Sequence, residues 1–184
     1  MTEQRLQNNI SFHLMSLELR FRDWLHPPVR ILQEAGVRPG MTILDFGCGP
    51  GSYSLAAAGT VGPAGRVYAL DIHPLAIESM QRTASKQRVN NITTILGSDI
   101  DTLPEETIDM ILLFDTLHDI AEPVSALAGM HRVLKPDGHL VVSDHHLEPE
   151  ALITAVTADG LFAVADCNYP ICQFVRRAPI KERS

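Results

Sequence analysis

The sequence predicts an α/β fold: a mostly parallel seven-stranded sheet, helices on both of its faces, and an extra helix at the N-terminus. Three observations point there. From residue 42 onward, short runs that are apolar throughout alternate with helix-length amphipathic segments. Strands buried on both faces read as unbroken apolar runs, as in parallel sheets. The final two runs, 161–167 and 171–176, are separated only by Asn168-Tyr169-Pro170, too short a link for a crossover helix. They must pair antiparallel as a hairpin. Finally, a glycine-rich turn follows the first run directly, at the place where such sheets bind ligands.

Each element has its own warrant. In the first 25 residues Leu6, Ile10, Leu14, Leu17, Phe21 and Trp24 recur at three- and four-residue steps, which puts them on one helix face. Gln7, Asn8, Ser11, Glu18 and Arg22 fall on the other. His26-Pro27-Pro28 ends that helix and starts a second, because proline suits a first helical turn. Gly36 and the Arg38-Pro39-Gly40 turn end the second. Strands are expected over 42–46, 66–70, 92–96, 108–114 and 138–143, with helices over 51–58, 74–88, 123–134 and 148–159. The resulting organisation is an N-terminal lid or packing segment over 1–27, one domain over 28–177, and a polar, frayed tail over 178–184.

Composition narrows the function classes. A chain of 184 residues with 45% apolar content can bury a full core without metal or disulfide staples. Its net charge of −7 repels phosphate backbones, so strong nucleic-acid binding is not expected. No apolar run reaches the roughly 18 residues a membrane span needs. The N-terminus lacks a signal-peptide apolar stretch, and the cysteine count of 3 is odd. These features predict free thiols and a cytoplasmic location.

The segment Ile43-Leu-Asp-Phe-Gly-Cys-Gly-Pro-Gly-Ser52 reads as strand, turn and helix start. Gly47, Gly49 and Gly51 allow close backbone approach or positive φ, and a helix start offers unpaired N–H groups. The spacing is Gly-x-Gly-x-Gly, and Asp45 precedes it. A carboxylate there favours a cation, such as an amino group or a sulfonium, over a pyrophosphate. The alternative is a turn that only packs helix on strand. Asp71 ends the second run, about 20 residues on, where an acid accepts ribose hydroxyls; an N-cap ahead of Pro74 is its plainer role. Gly97-Ser-Asp99-Ile100 ends the third run. There Asp99 can accept from an adenine amino group, with Ile72 and Ile100 against the ring. An ordinary turn is the alternative.

On these residues the chain resembles the class I S-adenosylmethionine-dependent methyltransferases. Asp45-Phe-Gly-Cys-Gly-Pro-Gly51 matches the first motif, Val67-Tyr-Ala-Leu-Asp71 the ribose-binding acid and Gly97-Ser-Asp99 the adenine-binding one. Asp109-Met-Ile-Leu-Leu-Phe-Asp-Thr-Leu-His118 matches the fourth strand and its loop. Arg132-Val-Leu-Lys-Pro-Asp-Gly138 followed by 139–143 matches a helix end, a turn and the fifth strand. In style the chain is similar to the ubiquinone/menaquinone C-methyltransferases and arsenite methyltransferases. The resemblance implies a Rossmann-like sheet closed by an antiparallel seventh strand. It implies S-adenosylmethionine as cofactor, S-adenosylhomocysteine as product, and in-line attack by a small-molecule acceptor on the sulfonium methyl.

The acceptor is expected over the ends of the fourth and fifth strands, among Asp115, His118, Asp119, Asp144, His145 and His146. Asp115 is assigned with the cofactor-binding residues. His118 is the first choice as an acceptor-facing base, since imidazole titrates near neutrality; packing in the loop is the competing role. The same carboxylates and histidines could hold a divalent metal, but their spacing matches no recognised ligand set, and none is assigned. Cys48, Cys167 and Cys172 raise an arsenite reading, yet buried core thiols are the commoner state. The N-terminal helix could close as a lid carrying Arg20, Arg22 and Trp24, pack, or contact a second copy or partner subunit. A protein or RNA methyltransferase and a non-catalytic cofactor-binding subunit are the rival functions.

Overall fold

The computed structural model describes residues 27–98 and 100–177. The expected N-terminal helix, with its lid or dimer role, the polar tail and Asp99 lie outside those residues. In chain order the elements are α1 (Pro28–Glu34), β1 (Thr42–Phe46), α2 (Ser52–Val61), β2 (Arg66–Asp71), α3 (Pro74–Gln87), β3 (Ile92–Leu96), β4 (Ile108–Phe114), α4 (Pro123–Val133), β5 (Leu134–Ser143), α5 (Pro149–Thr157), β6 (Phe162–Asn168) and β7 (Ile171–Arg176). Short 3₁₀ turns cover Ile100–Thr102 and Leu117–Asp119. Helices α1, α3, α4 and α5 each start on proline, whose missing N–H costs nothing in a first turn.

The seven strands run in the order β3-β2-β1-β4-β5-β7-β6. Strands β1 to β5 pair in parallel, and β7 inserts antiparallel between β5 and β6. The chain thus moves outward from β1 to β3, then crosses to β4 on the other side of β1. That reversal opens a crevice beyond the carboxyl ends of β1 and β4. Alternation within each strand divides the core. Ile43, Val67, Met110, Leu112 and Val141 pack beneath α1 and α2, while Ala69 meets α3. Leu44, Leu70, Ile111, Leu113, Leu140 and Val142 face α4 and α5. All of these strand residues are buried.

Two expectations change. Leu134, read as the end of a helix, and 135–137, read as a turn, belong to β5. Leu134 is buried and pairs with Ile108, whereas the next register pair is Met110 with His139, so the intervening residues bow out of the ladder. Lys135 Nζ holds Asp109 Oδ1 at 2.5 Å, while Asp109 Oδ2 accepts the first N–H of β1, from Thr42, at 2.7 Å. The expected trio of free thiols is also corrected. Cys167 and Cys172 face each other across the β6–β7 hairpin and are joined as a disulfide, leaving Cys48 free and buried. The two-residue link Tyr169-Pro170 pairs Asn168 with Ile171, and that register makes Cys167 and Cys172 direct cross-strand partners.

Candidate active site

The glycine turn joins β1 to α2 and lies at the crevice. Gly47, Gly49 and Gly51 all have positive φ, at 81°, 52° and 96°. Their surroundings differ. A Cβ on Gly47 would overlap the Thr116 side chain, and one on Gly51 would sit 2.7 Å from Met80 Cγ. A Cβ on Gly49 would meet nothing within 4 Å. Packing therefore explains two of the glycines, and Gly49 is the one that borders open space.

Two carboxylates fix this turn. Asp45 is buried at 2% exposure, and Ser54 Oγ donates to its Oδ2 at 2.5 Å, tying the strand to the first turn of α2. Burial raises the Asp45 pKa to about 6 against the pull of that hydroxyl, and the Asp71 charge adds to the rise. The Asp71 carboxylate accepts from the Gly49 N–H at 2.8 Å and from the His73 N–H at 2.7 Å. Asp71 is thus not the cap of α3. His73 takes that place, its Nδ1 accepting from the Leu75 N–H at 3.2 Å. The Gly97 N–H, at the end of β3, donates to the Asp71 carbonyl at 2.9 Å.

Beside Asp71, Ile72 is 74% exposed, and Leu96, the register partner of Asp71 on β3, is 58% exposed. Together they present apolar surface at the crevice mouth. Ile100 is placed differently: it is buried in the core, with its Cγ2 against Gly129 of α4. Its side chain is turned away from that exposed surface.

Across the crevice, the ends of β4 and β5 bring together the residues expected near an acceptor. Asp115 has φ 50°, and its Oδ1 accepts from the His145 backbone N–H at 3.2 Å and lies 2.6 Å from His145 Nδ1. Asp144 is fully buried and lies 2.9 Å from His118 Nδ1. The His118 and His146 rings are tilted at 47° with centroids 4.1 Å apart, and those of His145 and His146 at 41° with centroids 3.9 Å apart. Among the described residues, no group of three or more His, Cys, Asp or Glu side chains is arranged to hold a metal ion. Ser54, Thr116, Leu96 and the partnership of Asp144 with His118 were missed by sequence reasoning. Only the last had a usable signal: both residues follow adjacent parallel strands, so their loops must meet.

The profile of a methyltransferase domain matches residues 38–174. The chain belongs to the methyltransferase domain family. It is 28% identical to a demethylmenaquinone methyltransferase of Geobacillus stearothermophilus over 73% of this chain and 58% of that protein. It is 38% identical to an uncharacterized protein in a transposon of Streptomyces fradiae, over 62% of this chain and 33% of that one. The chain spans between a third and three fifths of these two relatives. A solved S-adenosylmethionine-dependent methyltransferase from Aquifex aeolicus superposes with a TM-score of 0.74, at 26% identity, over 84% of this chain and 90% of the other. The seven-stranded methyltransferase fold is the one the sequence predicts.

Proposed function

We propose that this chain transfers the methyl group of S-adenosylmethionine to a small-molecule acceptor, releasing S-adenosylhomocysteine. The bond from Gly49 to Asp71 carries the reading, because it sets an open glycine turn and a ribose-type acid side by side at the reversal point of the sheet. The chemistry of the site fits the cofactor. Asp45 and Asp71 place negative charge around the turn, which suits a sulfonium and an amino group and opposes a phosphate. Bound there, the cofactor supplies an electrophilic methyl; the chain binds, aligns and excludes water, work that can be worth roughly 7–11 kcal/mol.

In this reading Gly47, Gly49 and Gly51 shape the cradle for the methionine end, with Asp45 charged beneath it. Asp71 takes the ribose hydroxyls, and Asp99 the adenine amino group. Ile72 covers the ring, while Ile100 stays in the core against Gly129. Asp115 borders the cofactor, and His118 faces the acceptor. The relatives' names point to a quinone-type acceptor. Only 144–148 separate β5 from α5, which leaves no room there for a cap over the acceptor. That same short connection favours one second reading, a cofactor-binding subunit completed by a second copy or a partner. No described helix is long and apolar enough to cross a membrane. We place the chain in the cytoplasm; the Cys167–Cys172 bridge counts against a strongly reducing compartment, and a thiol count on freshly purified protein tests whether the bridge forms. The function is tested by transfer of a tritiated methyl to a panel of hydroquinones, phenols and amines. Turnover of any of them supports it; cofactor binding with no turnover until a partner is added supports the subunit.

A further inference from the structure

Both carboxylate oxygens of Asp144 are engaged. Its Oδ2 accepts from the His118 backbone N–H at 3.1 Å and its Oδ1 from the His146 backbone N–H at 3.0 Å. The same two oxygens lie 2.9 and 3.0 Å from His118 Nδ1. Burial pushes its pKa up, but the His118 ring and the two backbone donors outweigh that and hold it below the ordinary carboxylate range. An ionised carboxylate only accepts. Nδ1 must therefore carry the ring proton, and in the neutral ring Nε2 keeps its lone pair. Nε2 belongs to a side chain that is 23% exposed at the crevice. The titratable groups facing the ring are Asp144 behind it, Asp119 with Oδ2 3.4 Å from Nε2, and His146, its ring tilted alongside. Asp119 is 81% exposed. His145, beyond His146, is engaged with Asp115.

We propose that Asp144 is a positioning residue that makes His118 Nε2 a proton acceptor, and that the methyl acceptor is a phenolic or enolic hydroxyl compound. This rests on the methyltransferase reading above. The acceptor's hydroxyl proton passes to His118 Nε2. The freed electron pair, on oxygen or on the conjugated ring carbon, forms the new bond to the methyl carbon as the sulfonium–methyl bond breaks and sulfur keeps its pair. The imidazolium is offset by the Asp144 carboxylate and returns its proton to water. If the carbon was attacked, its hydrogen leaves to water as a second proton and the oxygen takes one back, so the aromatic ring and its hydroxyl are restored with one proton released overall. A thioether acceptor has no proton to lose and would leave this pair unused.

The direct test is a long-range proton–nitrogen spectrum of ring-labelled histidine in the complex with S-adenosylhomocysteine. His118 is expected as the neutral Nδ1–H form, and Asp144→Asn is expected to mix its tautomers. In parallel, transfer to 1,4-naphthohydroquinone and to dimethyl sulfide is measured. His118→Gln should lower kcat on the hydroquinone at least about 100-fold. Asp144→Asn should lower it about 10- to 100-fold and displace the acid limb of kcat/KM, with KM and S-adenosylhomocysteine affinity near wild type. A proton on Nε2 in the complex overturns the proposal. So does hydroquinone turnover by His118→Gln within twofold of wild type, or transfer to dimethyl sulfide alone. If folded wild-type protein fails to bind S-adenosylhomocysteine, the methyltransferase reading beneath it fails instead.

Discussion

The Gly49 N–H donates to Asp71 Oδ2 at 2.8 Å, so the acid at the end of β2 holds the glycine turn as well as facing the crevice. A residue expected to do one job in binding is also part of the scaffold of the site. The other carboxylate oxygen takes the His73 N–H, which fixes the start of α3.

Replacing Asp71 should therefore show in two measurements. Hydrogen bonds to a charged group are worth about 1.5–3 kcal/mol each. Asp71→Ala is expected to weaken S-adenosylhomocysteine binding tenfold or more. It should also lower Tm, at about 2–4 °C per kcal/mol lost for a chain of this size. Unchanged affinity in a folded variant removes Asp71 from the cofactor site.

The three glycines should separate by readout. Gly47→Ala drives a methyl into Thr116, so its main cost is stability. Gly49→Ala has space for the methyl and pays only for left-handed backbone, about 1–2 kcal/mol. Its main cost should be affinity, because the methyl enters the open side of the cradle. Thermal melts and cofactor titrations of both variants check the crossing pattern; equal loss of affinity in both contradicts it.

Asp45 should destabilise the fold at neutral pH. Its pKa rises from 3.8 to about 6, so the folded state binds the proton more tightly than the unfolded chain. Stability from this group is full below the unfolded value and is lost as pH rises through about 6. The displacement is worth about 3 kcal/mol. Asp45→Asn keeps an acceptor for Ser54 and removes the charge. We expect a higher Tm than wild type at pH 8, little difference below pH 4, and weaker cofactor binding. A lower Tm at pH 8 contradicts the assignment.

Asp144 should have the opposite sign. Its pKa lies below the ordinary range, so its contribution is present above the unfolded value and disappears as pH falls through the depressed one. Asp144→Asn should lower Tm at pH 7 and lose most of that deficit in acid. Melts across pH 3–8 check this.

The fold was legible because its signals are periodic or covalent: unbroken apolar runs, helix-starting prolines, and a hairpin link too short for any other pairing. The site was legible where chemistry sits next to a strand end, as at Asp71 and the glycine turn. What stayed hidden depends on which neighbour fills a space. Gly47 and Gly51 read as cofactor-loop glycines in the sequence, which could not show that Thr116 and Met80 also occupy the volume a side chain there would need. Ile100 reads as a wall for adenine, yet its side chain is committed to α4. The pairing of Asp144 with His118, 26 residues apart, needs the register of β4 on β5 before it can be seen.

The measurement closest to the central claim is a calorimetric titration of the wild-type chain with S-adenosylhomocysteine. The account predicts one site per chain with micromolar affinity, reduced at least tenfold by Asp71→Ala. A folded chain that takes up no heat-detectable ligand at millimolar S-adenosylhomocysteine contradicts it.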